Sequence, residues 1–301
     1  MRLIELQVDP RPVAIARMGI GVATVLMSLE AFEILARISS GLLAAPVFPQ
    51  VPELNLISLI LLAILQVAAG SAVTLGWRTE FAAGLSLVLS LVTFLADQQT
   101  YSNHRLLVTL LLAYLLFAKS GTAWSLRRTR RPGLVPFWPQ LLMMTQLSVV
   151  YFFSAISKIN PTFASGKPLE TWVWVSLPWQ AYTIAAIMTI VVELVIAFGL
   201  WFRASRRVAA LLGVGLHLSI VVLMDHETLA LTAFAVVCVS LYPLFLTRPQ
   251  FHLRGAGLVV AAAGRPHHED PARSSEAVDA GERLDHAERR RRQEHDEEHG
   301  Q

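Results

Sequence analysis

The chain has 301 residues, of which 54% are hydrophobic and only 16% are charged, and its formal net charge is +3. Its mean hydropathy is +0.52. A soluble domain of this size needs a larger charged surface, so these values exclude an ordinary soluble globular protein. The basic residues are scattered along the chain rather than gathered into one stripe, so we expect no nucleic-acid partner.

Apolar stretches of about 20 residues recur along the chain, the length that crosses a hydrocarbon core of ~30 Å as a helix. They predict an all-α, polytopic membrane bundle of about eight transmembrane helices. The predicted spans, in chain order, are 13–37, 55–76, 79–96, 103–119, 137–157, 180–203, 207–224 and 228–247. Very short turns separate the second from the third span and the sixth from the seventh, as in antiparallel helical hairpins.

Lys and Arg residues concentrate in alternate connectors, and the positive-inside rule therefore places both ends of the chain in the cytoplasm. The Ala-, Leu- and Arg-rich composition suggests a bacterial plasma membrane. The connectors assigned to the cytoplasmic side hold Arg2, Arg11, Arg78, Lys119, Arg127, Arg128, Arg130, Arg131, Arg203, Arg206, Arg207, Arg248 and Arg254, whereas the opposite connectors hold Arg37, Arg105, Lys158 and Lys167.

The last forty residues differ in character from the rest of the chain. Residues 1–260 form the predicted transmembrane domain, whereas residues 261–301 are rich in both charges and contain few apolar side chains. Such a segment buries too little apolar surface to fold alone, so we expect a disordered, charged cytoplasmic tail. Its histidines, including the pair His267–His268, are not spaced as metal ligands, and no metal site is expected.

Three segments hold most of the polar side chains at predicted membrane depth, where such groups are costly and therefore informative. The first is "DQQTYSNH" at 97–104, and the third, 193–229, contains Glu193 and His217. The second, 146–174, runs from span five into a proline break and a tryptophan-rich stretch, which suggests a partly re-entrant or interfacial segment. The motifs of soluble enzymes, such as a P-loop, a zinc-binding His pair or a nucleophile elbow, do not occur in the sequence.

These segments resemble the HTTM family, the horizontally transferred transmembrane domain, which includes the membrane domain of vitamin K-dependent γ-carboxylase. The resemblance covers roughly residues 10–250. The residues that match the family pattern in order and spacing are Asp97, Tyr101, Asn103 and His104 in the first segment, Gln146, Tyr151, Phe152, Lys158 and Gly166 in the second, and His217 with Pro243 to Phe245 in the third.

The resemblance implies a pocket that opens outward and binds, and could modify, a lipid, a quinone or a secreted peptide. Its candidate catalytic cluster is Lys158, His104 and Asp97, and its candidate binding residues are Asn103, Tyr101, Gln98, Tyr151, Glu193 and His217. Gln98 stands where the resemblance places the general-base lysine, directly after the Asp, and an amide cannot accept a proton at neutral pH. The large lumenal domain of the carboxylase has no counterpart here, so glutamate γ-carboxylation is not expected.

Two other interpretations of the polar residues stay open at this point. Asp97 and Asn103 are suitable helix caps, Lys158 can extend to the headgroups, and Glu193 and His217 can form interhelical hydrogen bonds. In that case the chain is a non-catalytic scaffold or a subunit that works with another membrane protein. A small transporter is the third alternative, although no inverted repeat is visible in the sequence. The sequence leaves the cofactor unidentified, with a quinone or a lipid as the candidates.

Overall fold

The computed structural model describes residues 3–41, 44–48, 55–126, 133–225, 228–247, 251–253 and 259–260. The predicted tail at 261–301 lies outside these ranges. The helices are α1 (Arg11–Ser39), α2 (Leu56–Leu75), α3 (Thr79–Ala96), α4 (Asn103–Ala118), α5 (Trp138–Lys158), α6 (Pro161–Ala164), α7 (Lys167–Trp172), α8 (Trp179–Gly199), α9 (Arg206–Leu223) and α10 (Thr228–Leu246). The prediction of an all-α polytopic bundle is confirmed.

Seven of the described helices are long and apolar enough to cross a membrane: α1, α2, α3, α5, α8, α9 and α10. The eighth predicted span corresponds to α4, which has only 16 residues and is ~24 Å long at 1.5 Å per residue. Leu107, Leu111, Leu112 and Leu115 of α4 are almost fully buried against the other helices. A helix enclosed in this way does not need to match the thickness of the lipid over its whole length.

A short antiparallel sheet joins three distant parts of the chain. Its strand order is β2-β1-β3-β4, with β1 (Leu6–Val8), β2 (Val135–Pro136), β3 (Phe251–Leu253) and β4 (Val259–Val260). The sequence analysis missed these strands, because two or three residues are too few to give a periodic signal. We refer to the end of the bundle that carries this sheet as the inner end.

The sheet constrains the number of crossings. Strand β1 precedes α1, β2 follows α4 and β3 follows α10, and β1 pairs directly with both of the others. Segments that meet at one end of the bundle must be separated by an even number of crossings. This geometry supports four crossings on each side of β2, with α4 as one of them, and the eight-span count with both ends inside stays a prediction.

The helices of the bundle bury small and polar residues and expose large apolar ones, as a bilayer requires. Every buried residue of α3 is a Thr, Ser or Ala. Gly19 and Gly21 of α1 let α10 and α2 approach closely, since a Cβ at Gly19 would overlap Ser240 and a Cβ at Gly21 would overlap Thr74. On the outside of α9, Leu211 and similar side chains are largely exposed.

The segment between α5 and α8 does not cross the bundle. Its two short helices, α6 and α7, pack against the first half of α8, where Phe163 lies in a small apolar cluster with Tyr182. Gly166 has a φ of +82°, and a Cβ there would overlap the backbone of Tyr182 and Thr183. Thr183 Oγ1 also donates to Ser165 O at 2.8 Å. These contacts hold α6 and α7 against α8 and leave the end of α5 facing the interior part of α8.

Candidate functional site

The charged centre of the site is an ion pair between α5 and α8. Lys158 Nζ lies 2.8 Å from Glu193 Oε1 and 3.0 Å from Oε2. Glu193 stands fourteen residues after Trp179, the first residue of α8, and so ~21 Å along the helix. Ser154, one turn before Lys158 on α5, donates to Glu193 Oε1 at 2.9 Å and accepts from Lys158 Nζ at 2.5 Å. Lys158 and Glu193 therefore neutralise each other's charge, and Ser154 is hydrogen-bonded to both.

The two partners of this ion pair differ in access. The Glu193 side chain is 7% exposed, whereas the Lys158 side chain is 23% exposed. The ring of Phe163, from α6, lies on another side of the ammonium group, with 5.8 Å between Nζ and the ring centroid. The Lys158 side chain is thus partly exposed, while its carboxylate partner is enclosed.

A second group of polar side chains lies deeper, between α5, α9 and α10. The Tyr151 hydroxyl is 2.6 Å from His217 Nε2 and 2.7 Å from the Tyr242 hydroxyl. All three residues are buried. We call this set the tyrosine–histidine chain. Each hydroxyl can both donate and accept a hydrogen bond, and the imidazole nitrogen does one or the other according to its tautomer.

His104, at the start of α4, approaches the same region. Its ring centroid lies 6.2 Å from that of Phe234 on α10, and Phe234 lies 5.4 Å from the His217 ring. The structure therefore brings five of the sequence-predicted residues to one side of the bundle. They are Lys158, Glu193, Tyr151, His217 and His104.

Asp97 belongs to a different contact network. Its carboxylate accepts from the backbone N–H groups of Ala45 at 2.7 Å and Gln99 at 2.8 Å. It is buried and ties the connector after α1 to the connector between α3 and α4. The acid that pairs with Lys158 is thus Glu193 rather than Asp97, so the expected pairing of Asp97 with Lys158 is wrong.

The remaining predicted binding residues lie on the surface of the α3–α4 connector. Gln98 is exposed, with its Nε2 3.4 Å from Pro46 O. The Tyr101 hydroxyl lies 3.4 Å from Asn103 Oδ1, and both side chains are exposed. The N-cap of α4 is Ser102, whose hydroxyl accepts from the Arg105 backbone N–H, rather than Asn103. The contacts of these residues lie within the α3–α4 connector and with Pro46, and not with the Lys158–Glu193 pair.

Sequence reasoning missed two features of the site. Tyr242 completes the tyrosine–histidine chain, and a polar hydroxyl in an otherwise apolar span next to the matched Pro243 was the available signal. Arg105, assigned to an outer connector, forms a buried ion pair with Glu30 of α1 at 2.9 Å. Among the described residues, no group of three or more His, Cys, Asp and Glu side chains is arranged to hold a metal ion.

The HTTM domain family matches residues 6–249 of this chain. No solved structure matches the chain at a significant level. The matched range contains all ten helices and both groups of polar side chains described above. The chain therefore belongs to the HTTM family.

Proposed function

We propose that this chain is a multi-pass membrane protein that binds the polar head of a lipid, a quinone or a secreted peptide at Lys158, on a side of the bundle that opens outward. The observation that carries the proposal is the unequal exposure of the Lys158–Glu193 pair. An enclosed carboxylate holds the ammonium group in place, while the exposed part of that group can donate to a ligand oxygen.

The neighbouring groups suit a proton-transfer step on the bound ligand. The Lys158 ammonium group donates a hydrogen bond to the Glu193 carboxylate. The tyrosine–histidine chain offers a second route for a proton in apolar surroundings. In this proposal Lys158 holds the ligand and donates or accepts a proton at its reacting oxygen, and His104 approaches from α4. A ligand enters past the connector between α3 and α4, which carries Asp97, Gln98, Tyr101 and Asn103.

Gln98 limits the chemistry less than the sequence alone suggests. Its amide cannot act as a general base, but it lies exposed on the α3–α4 connector, whereas Lys158 pairs with an enclosed acid elsewhere in the bundle. The absence of a base at Gln98 therefore does not exclude proton transfer at Lys158 and Glu193. Glutamate γ-carboxylation is not part of the proposed function. The proposed location is a bacterial plasma membrane with both ends cytoplasmic.

A second candidate function is a non-catalytic membrane scaffold or partner subunit. It is favoured by one observation: the polar groups of the site already have partners within the chain. Lys158 bonds Glu193 and Ser154, and Tyr151 bonds His217 and Tyr242. Interhelical hydrogen bonds of this kind hold membrane bundles together without binding any ligand.

Ligand extraction distinguishes the two candidates. We expect lipid extracts of the purified wild-type protein to contain a defined small molecule or peptide that the double variant Lys158→Met/Glu193→Gln has lost. Changing both partners leaves no unpaired buried charge, so the variant should still fold. The matched control is Lys167→Met/Glu170→Gln, which makes the same changes on the exposed surface of α7. Equal ligand content in the folded double variant and the wild type would favour the scaffold.

A further inference from the structure

A separate polar cavity lies between α1, α2, α3 and α4, in the half of the bundle away from the sheet. Its volume is about 10 Å³, which is close to the minimum needed to hold one water molecule. Seven of its ten lining residues are polar or charged, and all ten belong to α1, α2, α3 and α4. The lining includes Thr24, Met27, Ser28, Ser90, Arg105 and Thr109. We call this cavity the α1–α4 chamber.

Arg105 is the one charged residue in the lining, and its guanidinium group is not fully satisfied by the protein. The side chain is only 5% exposed. Its Nη1 donates to Thr100 O at 2.7 Å, and its Nη2 lies 2.9 Å from Glu30 Oε2 without the alignment of a hydrogen bond. Its Nε–H has no hydrogen-bond partner among the described residues. A buried, charged donor of this kind needs an acceptor.

In contrast to the Arg105 donor, three hydroxyl groups of the chamber are available only as hydrogen-bond acceptors. Thr24 and Thr109 donate to the carbonyls of Ile20 and Arg105, and Ser28 donates to Val25 O. Each of these three hydroxyls has used its only proton and can offer only lone pairs to the chamber. An occupant that uses all of these groups accepts from Arg105 Nε and donates to the hydroxyl oxygens.

These requirements select one kind of molecule. A halide accepts but cannot donate, a metal cation would face the Arg105 charge, and the volume leaves no room for a larger solute. We propose that the α1–α4 chamber is a hydration site that holds an ordered water molecule bridging Arg105 Nε to the threonine and serine hydroxyls. This water completes the coordination of the Glu30–Arg105 pair and is independent of the Lys158 site.

Radiolytic hydroxyl-radical labelling of the full chain in lipid nanodiscs tests the proposal. X-rays split bound water, and a methionine beside that water is oxidised even when bulk solvent cannot reach it. Met27 lines the chamber and is 3% exposed, whereas Met143 is 0% and Met144 is 8% exposed, and neither lines it. We expect Met27 to be oxidised several-fold faster than both controls. Equal rates for Met27 and Met144 would overturn the proposal.

A filling substitution provides the second test. Ser90→Val puts two methyl groups on the chamber wall in place of one hydroxyl, so it should displace the water and lower the Met27 oxidation rate to that of Met143. The control is Ser219→Val on the exposed face of α9, which should leave the Met27 rate unchanged. Unchanged Met27 oxidation in a folded Ser90→Val protein would contradict the assignment. If this variant does not fold, the wild-type comparison of Met27 with Met144 decides alone.

Discussion

The two halves of the bundle each contain one buried ion pair between helices, and the two pairs are built differently. In α1–α4, Arg105 pairs with Glu30, and the other contacts of the guanidinium group are with a backbone carbonyl and a chamber lined by hydroxyls. In α5–α10, Lys158 pairs with Glu193 beside Ser154. The second pair lies in the same half as the tyrosine–histidine chain, whereas the other hydrogen bond of the Arg105 guanidinium group is to the Thr100 carbonyl.

The difference indicates which half can carry chemistry. An arginine keeps its charge at any accessible pH, so the Glu30–Arg105 pair is a fixed element that holds α1 against α4. Lysine, histidine and tyrosine can each lose or gain a proton when their surroundings change. The presence of a polar residue at membrane depth therefore says little about function. The type of that residue and its bonding partners say more. This is why the proposed function lies in α5–α10.

The largest expected effect concerns the boundary between the halves, because a reporter fusion reads one side of the membrane or the other. If each half contributes four crossings, fusions after residues 130 and 255 should report the cytoplasm, and fusions after 101 and 226 should report the outside. An outside result at 130 with an inside result at 255 would mean that α4 does not cross, and the comparison of two equivalent halves would fail.

The next largest effect is expected at Arg17 of α1, which is fully buried at the inner end. Its guanidinium group donates to the carbonyls of Ser120, Ala123 and Trp124. Hydrogen bonds from a charged donor contribute ~1.5–3 kcal/mol each, so Arg17→Met should lower the free energy of unfolding by roughly 4–6 kcal/mol. Equilibrium unfolding in detergent measures this loss.

The control for Arg17 is Arg37→Met, at the other end of the same helix. Arg37 forms an exposed ion pair with Glu33, and surface pairs contribute ~0–1 kcal/mol. Similar losses for the two variants would show that the carbonyl contacts of Arg17 are not a main support of the α1–α4 half.

The bundle was predictable from the sequence because lipid imposes a strong and simple pattern. Runs of apolar residues located every long helix, with boundaries within a few residues. Pairings between distant helices were not predictable in the same way. The family resemblance placed Asp97 in one cluster with His104 and Lys158, but its carboxylate accepts from backbone N–H groups of two connectors. Glu193 was recognised as a deep acid, yet only the packing of α5 on α8 identifies Lys158 as its partner.

A third prediction compares the two ion pairs by double-mutant cycles. Removing one partner of a buried pair costs ~3–5 kcal/mol, and removing both costs much less. We expect Arg105→Met and Glu30→Gln to show a coupling energy of about 3 kcal/mol in thermal or chemical unfolding. Lys158→Met and Glu193→Gln should show a smaller coupling, because Ser154 also donates to Glu193 and can partly replace Lys158 as its donor. A larger coupling at Lys158 would assign it the same structural role as Arg105.

The smallest expected effect is the most specific for the proposed site. Tyr151→Phe keeps the ring and removes the hydroxyl that bonds both His217 and Tyr242, so it should cost ~1–3 kcal/mol of stability. Tyr114→Phe on α4 removes a hydroxyl outside this chain and should change stability by less than ~0.5 kcal/mol. If α5–α10 is only a scaffold, ligand content will follow stability in both variants. If the tyrosine–histidine chain serves a bound ligand, Tyr151→Phe will lose more of that ligand than a variant of equal stability changed in α1–α4, such as Thr109→Val.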